Sequence, residues 1–377
     1  TLPQRARTES VIYREVMGKS IAMNGGEGPN SYTHNSKQQR KGSDRAKVLL
    51  SNCIQEKLTV ENKLNTANQQ IFRIADLGCS VGPNTFASVQ TIIEATELTF
   101  KTQILEYKPP EFQVFFNDHV GNDFNTLFKA LPLDRQYMAV GVPGSFHGRL
   151  FPKASMNFMH SSFALHWLTK VPEEVTEENS SAWNKGRISY VGSSSEVVKA
   201  YTEQFVRDME GFFRARAVEL SSHGLMAILM PCRPEGTLPS ESIIMQVFEV
   251  LGCALTDMAK EGLVSEALVD SFNLPIFIPT GNEVKEVLSN IEHLTIEKSE
   301  EINYPPNLSN LEDVRSCIGH VRAVMEGILC EHFGAELLDQ LFERYSNKVE
   351  QFSKTSVFTR IEKLENLFLL LKRNPSS

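Results

Sequence analysis

Four short segments of the sequence combine residue types that can hold a small ligand. The first is Ile74-Ala-Asp76-Leu-Gly78-Cys79-Ser80-Val-Gly82-Pro-Asn84, an apolar run that meets an acid and then small residues before a helical stretch. Glycine permits tight turns and close ligand approach. In open α/β sheets, ligands bind beyond the carboxyl ends of strands. The segment is therefore a candidate nucleotide or cofactor site, although a plain strand–turn–helix connection reads the same way. The dinucleotide fingerprint GxGxxG is not matched, because Ser80 holds the second glycine place. The second segment, Phe115-Phe-Asn117-Asp118-His119, closes another apolar run. Asp118 can accept hydrogen bonds from both hydroxyls of a ribose. It follows Asp76 by 42 residues, against roughly 20 in the dinucleotide pattern. Asn122 or Asp123 can cap the helix expected from Phe124, which leaves Asp118 outside that need. The third, Gly141 to Pro152, is a Gly/Pro-rich bend carrying Ser145 and Phe146. The fourth, Ser161-Ser-Phe163-Ala-Leu-His166-Trp167-Leu, follows a strand and is expected to open a helix. Trp offers one indole N–H and His can donate or accept; by type alone, both also read as core.

These segments need elements to hold them. Short apolar runs and alternating stretches predict strands at 71–77, 111–116, 137–142, 155–160 and 224–230, with 293–298 and 367–372 as candidates for the last two. Helical spacing predicts helices at 38–57, 85–99, 124–131, 194–220, 241–261, 284–290, 311–332 and 335–352, with a loop over 23–36. Strands alternating with helices imply an α/β sheet with helices on both faces. Residues 1–20 read as a flexible arm, 21–232 as the ligand-binding core, 233–350 as a mainly helical cap containing one core strand, and 351–377 as a closing segment with the last strand.

Composition narrows the function classes. The 377 residues carry 38 Lys and Arg against 46 Asp and Glu, a formal net charge of -8. That balance argues against broad nucleic-acid binding, which uses a basic face. No apolar run approaches the roughly 18 residues of a membrane helix, and Thr1–Lys19 lacks the apolar region of a signal peptide. The six cysteines form no CxxC pair, so reduced thiols in the cytoplasm are expected.

Taken together, the motifs resemble the SABATH family of plant methyltransferases, which use S-adenosylmethionine. The matching blocks are Met23-Asn-Gly-Gly, Asn30-Ser-Tyr32, Asn35-Ser36, Gln39, ADLGCSVGPN, FFNDHVGNDFNTLF, GVPGSFHGRLFP, HSSFALHWL, VDSFNLP and EHFG, spread over residues 20–373. The family methylates carboxyl groups of acids such as salicylic, benzoic, jasmonic and loganic acid, and it includes xanthine N-methyltransferases. The resemblance implies a Rossmann-like seven-stranded methyltransferase sheet with a mainly helical cap, and commonly a homodimer. It implies cofactor contacts at Tyr32, Ser36, Asp76, Cys79, Asn84, Asp118, His119, Ser145 and Phe146, with Asp118 on the ribose. It implies a substrate pocket at Gln39, Phe163, His166 and Trp167, with Met245 and His320 shaping its far end. Asn24 stands where some members have Lys, His119 where some have Leu, and Phe163 where Tyr is common. Asn184, Asp270, Phe272 and Asn273 resemble positions sometimes assigned to magnesium, although Phe272 offers only a backbone carbonyl and the spacing describes no tight metal site.

The chemistry of such a site is simple. A carboxylic acid with a pKa near 4 is an anion at pH 7, so methyl transfer to it needs no catalytic acid or base. Gln39 and Trp167 act by positioning. The alternatives are an N-methyltransferase of a xanthine-type purine, a nicotinamide-dependent oxidoreductase, and a silent binding protein. The paired Gln39 and Trp167 suit an acid better than a purine. The broken fingerprint counts against the oxidoreductase. The intact Asp76 and Asp118 count against the silent protein.

Overall fold

The seven expected strands pair into one sheet. In the computed structural model, which describes residues 22–59, 71–103, 109–304, 311–353 and 364–375, its strands are β1 (Ile71–Leu77), β2 (Glu111–Asp118), β3 (Tyr137–Pro143), β4 (Met156–Ser162), β5 (Leu220–Cys232), β6 (Leu294–Tyr304) and β7 (Leu364–Arg373). The arm expected at 1–20 lies outside the described residues. Strand order is β3-β2-β1-β4-β5-β7-β6. The first five strands are mutually parallel, and β7 runs antiparallel between β5 and β6. This is the expected Rossmann-like methyltransferase sheet, in mixed form.

Successive strand side chains point to opposite faces, and the central strands are buried on both. On β5, Met226, Ile228 and Met230 enter one core, while Leu225, Ala227 and Leu229 enter the other. On β7, Leu367, Leu369 and Leu371 alternate in the same way with Phe368 and Leu370. The second core is closed by α2 (Lys37–Lys57) and α3 (Pro83–Gln103), which pack together and bury Leu50, Ile54, Val89 and Ile92. The short α1 (Tyr32–Asn35) precedes them, a helical turn within the stretch expected to be a loop. Beyond β2 comes α4 (Phe124–Lys129), capped by Asp123, whose side chain accepts the Thr126 N–H. That leaves Asp118 free of the capping task, as expected.

The first core is closed by α5 (Ser195–Glu219), α6 (Ile243–Lys260), α7 (Glu266–Asp270), α8 (Gly281–Ser289), α9 (Leu311–Phe333) and α10 (Leu338–Ser353). The stretch 233–350 is mainly helical and contributes β6. Within it α10 packs on both α6 and α9, and α9 reaches across to α1.

One expected helix does not form. The segment after β4 turns at Phe163, whose φ is 55°, and then pairs with the chain after α7. Leu168 N–H donates to Pro275 O at 2.8 Å, and Phe277 N–H donates to His166 O at 2.9 Å. These bonds replace the helical ones, so His166 and Trp167 sit on a tertiary bridge rather than on a helix face.

Candidate active site

The carboxyl ends of β1, β2 and β4 converge on two adjoining cavities. Asp76 and His160 are register partners across β1 and β4, and the Asp76 Oδ1 lies 2.6 Å from His160 Nδ1. The Thr85 hydroxyl donates to the other oxygen of Asp76. Both Asp76 and His160 are about 5 % exposed or less, so this carboxylate is fixed before any ligand arrives. The chain then turns at Gly78, where φ is 81° and a Cβ would lie 2.5 Å from that of Ala164; only glycine meets both demands. This turn aims the Ser80 N–H at Asp118 Oδ2, 2.7 Å away. The His119 N–H donates to Oδ1 at 2.8 Å. Burial is the largest influence on Asp118 and holds its pKa above the usual carboxylate value despite these two donors.

The smaller cavity, about 30 Å³, is lined by Asp76, Cys79, Asn84, Thr85 and His160 among others. Asn84 Nδ2 donates to the carbonyl of Ser36 at 3.2 Å and to its hydroxyl at 3.1 Å, tying the start of α2 to the start of α3. Burial pushes the Cys79 thiol well up, so it packs as a neutral group and is no nucleophile.

The larger cavity, about 180 Å³, shares Tyr32, Gln39, Gly78, Ser80, Ser162 and Phe163 with the smaller one. Asp118, His119 and Phe146 line one side. Gln39, His166, Trp167 and His320 also line it. Ile243, Ile244, Val247 and Phe248 from α6 form an apolar wall, joined by Cys317, Val321 and Val324 from α9. Among the described lining residues there is no Lys or Arg, and Asp118 is the only acid. The Phe163 ring tip fills the space that a Cβ on Gly42 would take, 2.4 Å away. A tyrosine hydroxyl at that tip would press on α2.

Burial lowers the His166 pKa to about 3, helped by His320 nearby, and lowers that of His320 to about 4. Both imidazoles are neutral at pH 7. The unfolded chain takes up their protons below about pH 6.5, where the native protein does not, so folding stability falls on acidification through that window. The loss is about 2 kcal/mol for each histidine by pH 5. Replacing both with Gln is expected to shrink the drop in melting temperature between pH 7 and pH 5; an undiminished drop would contradict this assignment.

Most residues singled out in the sequence meet here, and some do not. Ser145 is exposed, accepts the His147 N–H at 3.4 Å, and lines neither cavity. Met245 is 0 % exposed and lines neither cavity. Its neighbours Ile244, Val247 and Phe248, spaced by three and four, share the cavity face of α6. Each of the four magnesium candidates already has a partner within the fold. Asn184 Nδ2 donates to Asn273 Oδ1 at 2.6 Å, and Asn184 Oδ1 accepts the Ser193 hydroxyl at 2.6 Å, so both amide oxygens are engaged. Asp270 accepts the Gly186 N–H at 2.7 Å, and Phe272 packs on His332 and Phe333. Among the described residues, no group of three or more His, Cys, Asp or Glu is arranged to hold a metal ion. Sequence reasoning missed His160 and the apolar residues of the α6 and α9 walls, although it placed Met245 and His320 on those two helices. The signal for His160 is its place at the carboxyl end of β4, next to β1.

Comparison with known proteins identifies the family. Residues 18–374 match the family described as SAM dependent carboxyl methyltransferase. The chain belongs to the SAM-dependent carboxyl methyltransferases. It is 46% identical over 354 residues to a loganic acid O-methyltransferase of Catharanthus roseus, covering 93% of this chain and 94% of the relative. It is 40% identical over 335 residues to a farnesoic acid carboxyl-O-methyltransferase of Arabidopsis thaliana, covering 89% and 94%. A solved structure described as loganic acid methyltransferase with SAH superposes with a TM-score of 0.88 at 45% identity, covering 94% of this chain and 99% of that one. As a member of this family, the protein transfers a methyl group from S-adenosylmethionine to a carboxylate of a small plant metabolite. Among the described residues, no helix is long and apolar enough to cross a membrane.

Proposed function

We propose that this carboxyl methyltransferase takes a largely apolar monocarboxylic acid without a sugar. Gln39 and Trp167 hold its carboxylate. The observation that carries this reading is the larger cavity itself, where both residues share one space with Asp118 and the rest of the wall is mainly aliphatic and aromatic. A buried sugar would bring several hydroxyls to that wall, and each hydroxyl left unpaired costs about 1–3 kcal/mol. We assign the ribose hydroxyls of S-adenosylmethionine to Asp118. The ammonium of its amino-acid end goes to Asp76, the anion of the smaller cavity.

When bound, S-adenosylmethionine supplies a methyl group on a positively charged sulfur. The chain's own residues do the rest by placement. Gln39 and Trp167 present N–H donors, which orient a carboxylate without the full ion pair that a Lys or Arg would form. One oxygen is thereby left facing the donor. The neutral state of His166 and His320 serves the same end, because an imidazolium there would pair with the carboxylate and blunt its nucleophilicity. Orientation of this kind supplies about 7–11 kcal/mol in favourable cases. We propose that residues 233–350 act as the cap that excludes water and sets the choice of acid. Asn184 and Asn273 bond to each other and line neither cavity, so they are given a structural role here. The scattered cysteines, with no CxxC pair among them, support a reducing cytoplasmic setting.

A panel of plant acids with isotopically labelled cofactor tests this reading. Base-labile methyl esters are expected, with kcat/KM at least about tenfold higher for an apolar acid than for its glucosylated counterpart. Preference for the glucoside would contradict the apolar class. Base-stable methylation of a purine nitrogen would contradict the carboxylate.

A further inference from the structure

The carboxylate anchor Gln39 is not free to turn. Its Nε2 lies 2.8 Å from His320 Nε2. The other ring nitrogen of His320, Nδ1, lies 3.1 Å from the backbone carbonyl of Asn35. A carbonyl oxygen only accepts, so Nδ1 must carry the proton. Burial keeps the ring neutral, with its pKa down at about 4. A neutral imidazole with Nδ1 protonated offers Nε2 as an acceptor. The side of Gln39 that faces it must then be the NH2 group and not the carbonyl. Amide orientation is fixed by such hydrogen-bond networks, and here each member of the chain has one consistent role.

The backbone supports this contact. A Cβ on Gly319 would stand 2.4 Å from Asn35 Oδ1, so the bare glycine lets α9 approach α1 closely enough for His320 to reach the Asn35 carbonyl. Asn35 is itself held by donation from its Nδ2 to Pro29 O at 2.7 Å and Ser31 O at 2.8 Å. The Gln39 Oε1 is buried and has no hydrogen-bond partner among the described residues.

We propose that His320 is a positioning residue that locks the Gln39 amide with its N–H groups forward, so that the second N–H meets the substrate carboxylate and the carbonyl cannot. Without that lock, half-turned Gln39 would show its carbonyl to an anion and repel it. The role assigned to His320 thus moves from the far end of the pocket to the anchor itself. It rests on the reading of Gln39 as the carboxylate anchor.

A double-mutant cycle separates the two. The variants are His320→Leu, His320→Gln, Gln39→Ala and Gln39→Ala/His320→Leu, each with the preferred acid. His320→Leu removes the acceptor and is expected to raise KM for the acid about tenfold. Affinity for S-adenosylhomocysteine should stay near wild type, which a merely structural role would not allow, and any fall in melting temperature from the lost Asn35 contact should be the same in both Gln39 backgrounds. His320→Gln can offer an acceptor oxygen and should recover most of the loss. In the Gln39→Ala background, His320→Leu should add less than about twofold, because residues that act through one another are not additive. A full tenfold effect in that background would overturn the proposal while leaving the anchor intact. If Gln39→Ala leaves KM for the acid unchanged, the anchor reading fails and the lock fails with it.

Discussion

Replacing Asp118 with Ala is expected to weaken binding of S-adenosylhomocysteine about a hundredfold or more in calorimetry. Two losses combine. A ribose diol would lose two charge-assisted hydrogen bonds, worth roughly 1.5–3 kcal/mol each. The Ser80 and His119 N–H groups would lose the acceptor that shapes the loop after β1. Asp118→Asn is expected to be nearly as damaging, because one carboxylate oxygen becomes an NH2 facing a backbone N–H. The melting temperature of each variant, taken without ligand, separates loss of binding from loss of fold. Unchanged affinity in Asp118→Ala would remove the ribose from this side chain.

The second large effect concerns stability. Arg216 and Glu219 at the end of α5 are both 0 % exposed and pair at 2.6 Å. Arg216 also donates to the carbonyls of Phe146 at 2.7 Å and Gly148 at 2.9 Å. Glu219 accepts from the N–H groups of Leu150 at 2.5 Å and Phe151 at 2.9 Å. The pair is therefore the clamp on the Gly/Pro-rich bend that brings Phe146 to the larger cavity. Arg216→Leu leaves Glu219 charged, buried and unpaired, and two carbonyls without their donor. Breaking such a pair costs about 3–5 kcal/mol. Urea denaturation should show a loss of that size, with weaker cofactor affinity because Phe146 is no longer held. A loss under about 1 kcal/mol would mean that the clamp is not needed.

The centre of the sheet was largely legible because β1, β4, β5 and β7 are mostly buried and read as apolar runs, whereas the edge strands β3 and β6 are largely exposed or half-buried. The strand expected at 111–116 runs only two residues further, to Asp118, and the one at 71–77 is unchanged. The direction of β7 was not legible, since an apolar run carries no mark of which way it pairs. Asp76, Gly78 and Asp118 could be read because their roles depend on strand ends and turns. The segment at His166 and Trp167 misled because its helical spacing is local, whereas its partners at Pro275 and Phe277 lie more than a hundred residues away. His160 passed as a strand end, and the charges at Arg216 and Glu219, three apart on a helix, resemble an ordinary exposed pair. In each case burial by distant chain decides the role. Met245 shows the converse: the region was right, but helix phase turns it to the core and gives the cavity its neighbours.

The most direct measurement is a crystal structure with S-adenosylhomocysteine and the preferred acid bound together. One carboxylate oxygen should lie within hydrogen-bonding distance of Gln39 Nε2 and Trp167 Nε1, and the other should face the cofactor sulfur with no side chain between. A carboxylate held elsewhere, or a sulfur walled off from Gln39 and Trp167, would contradict the account.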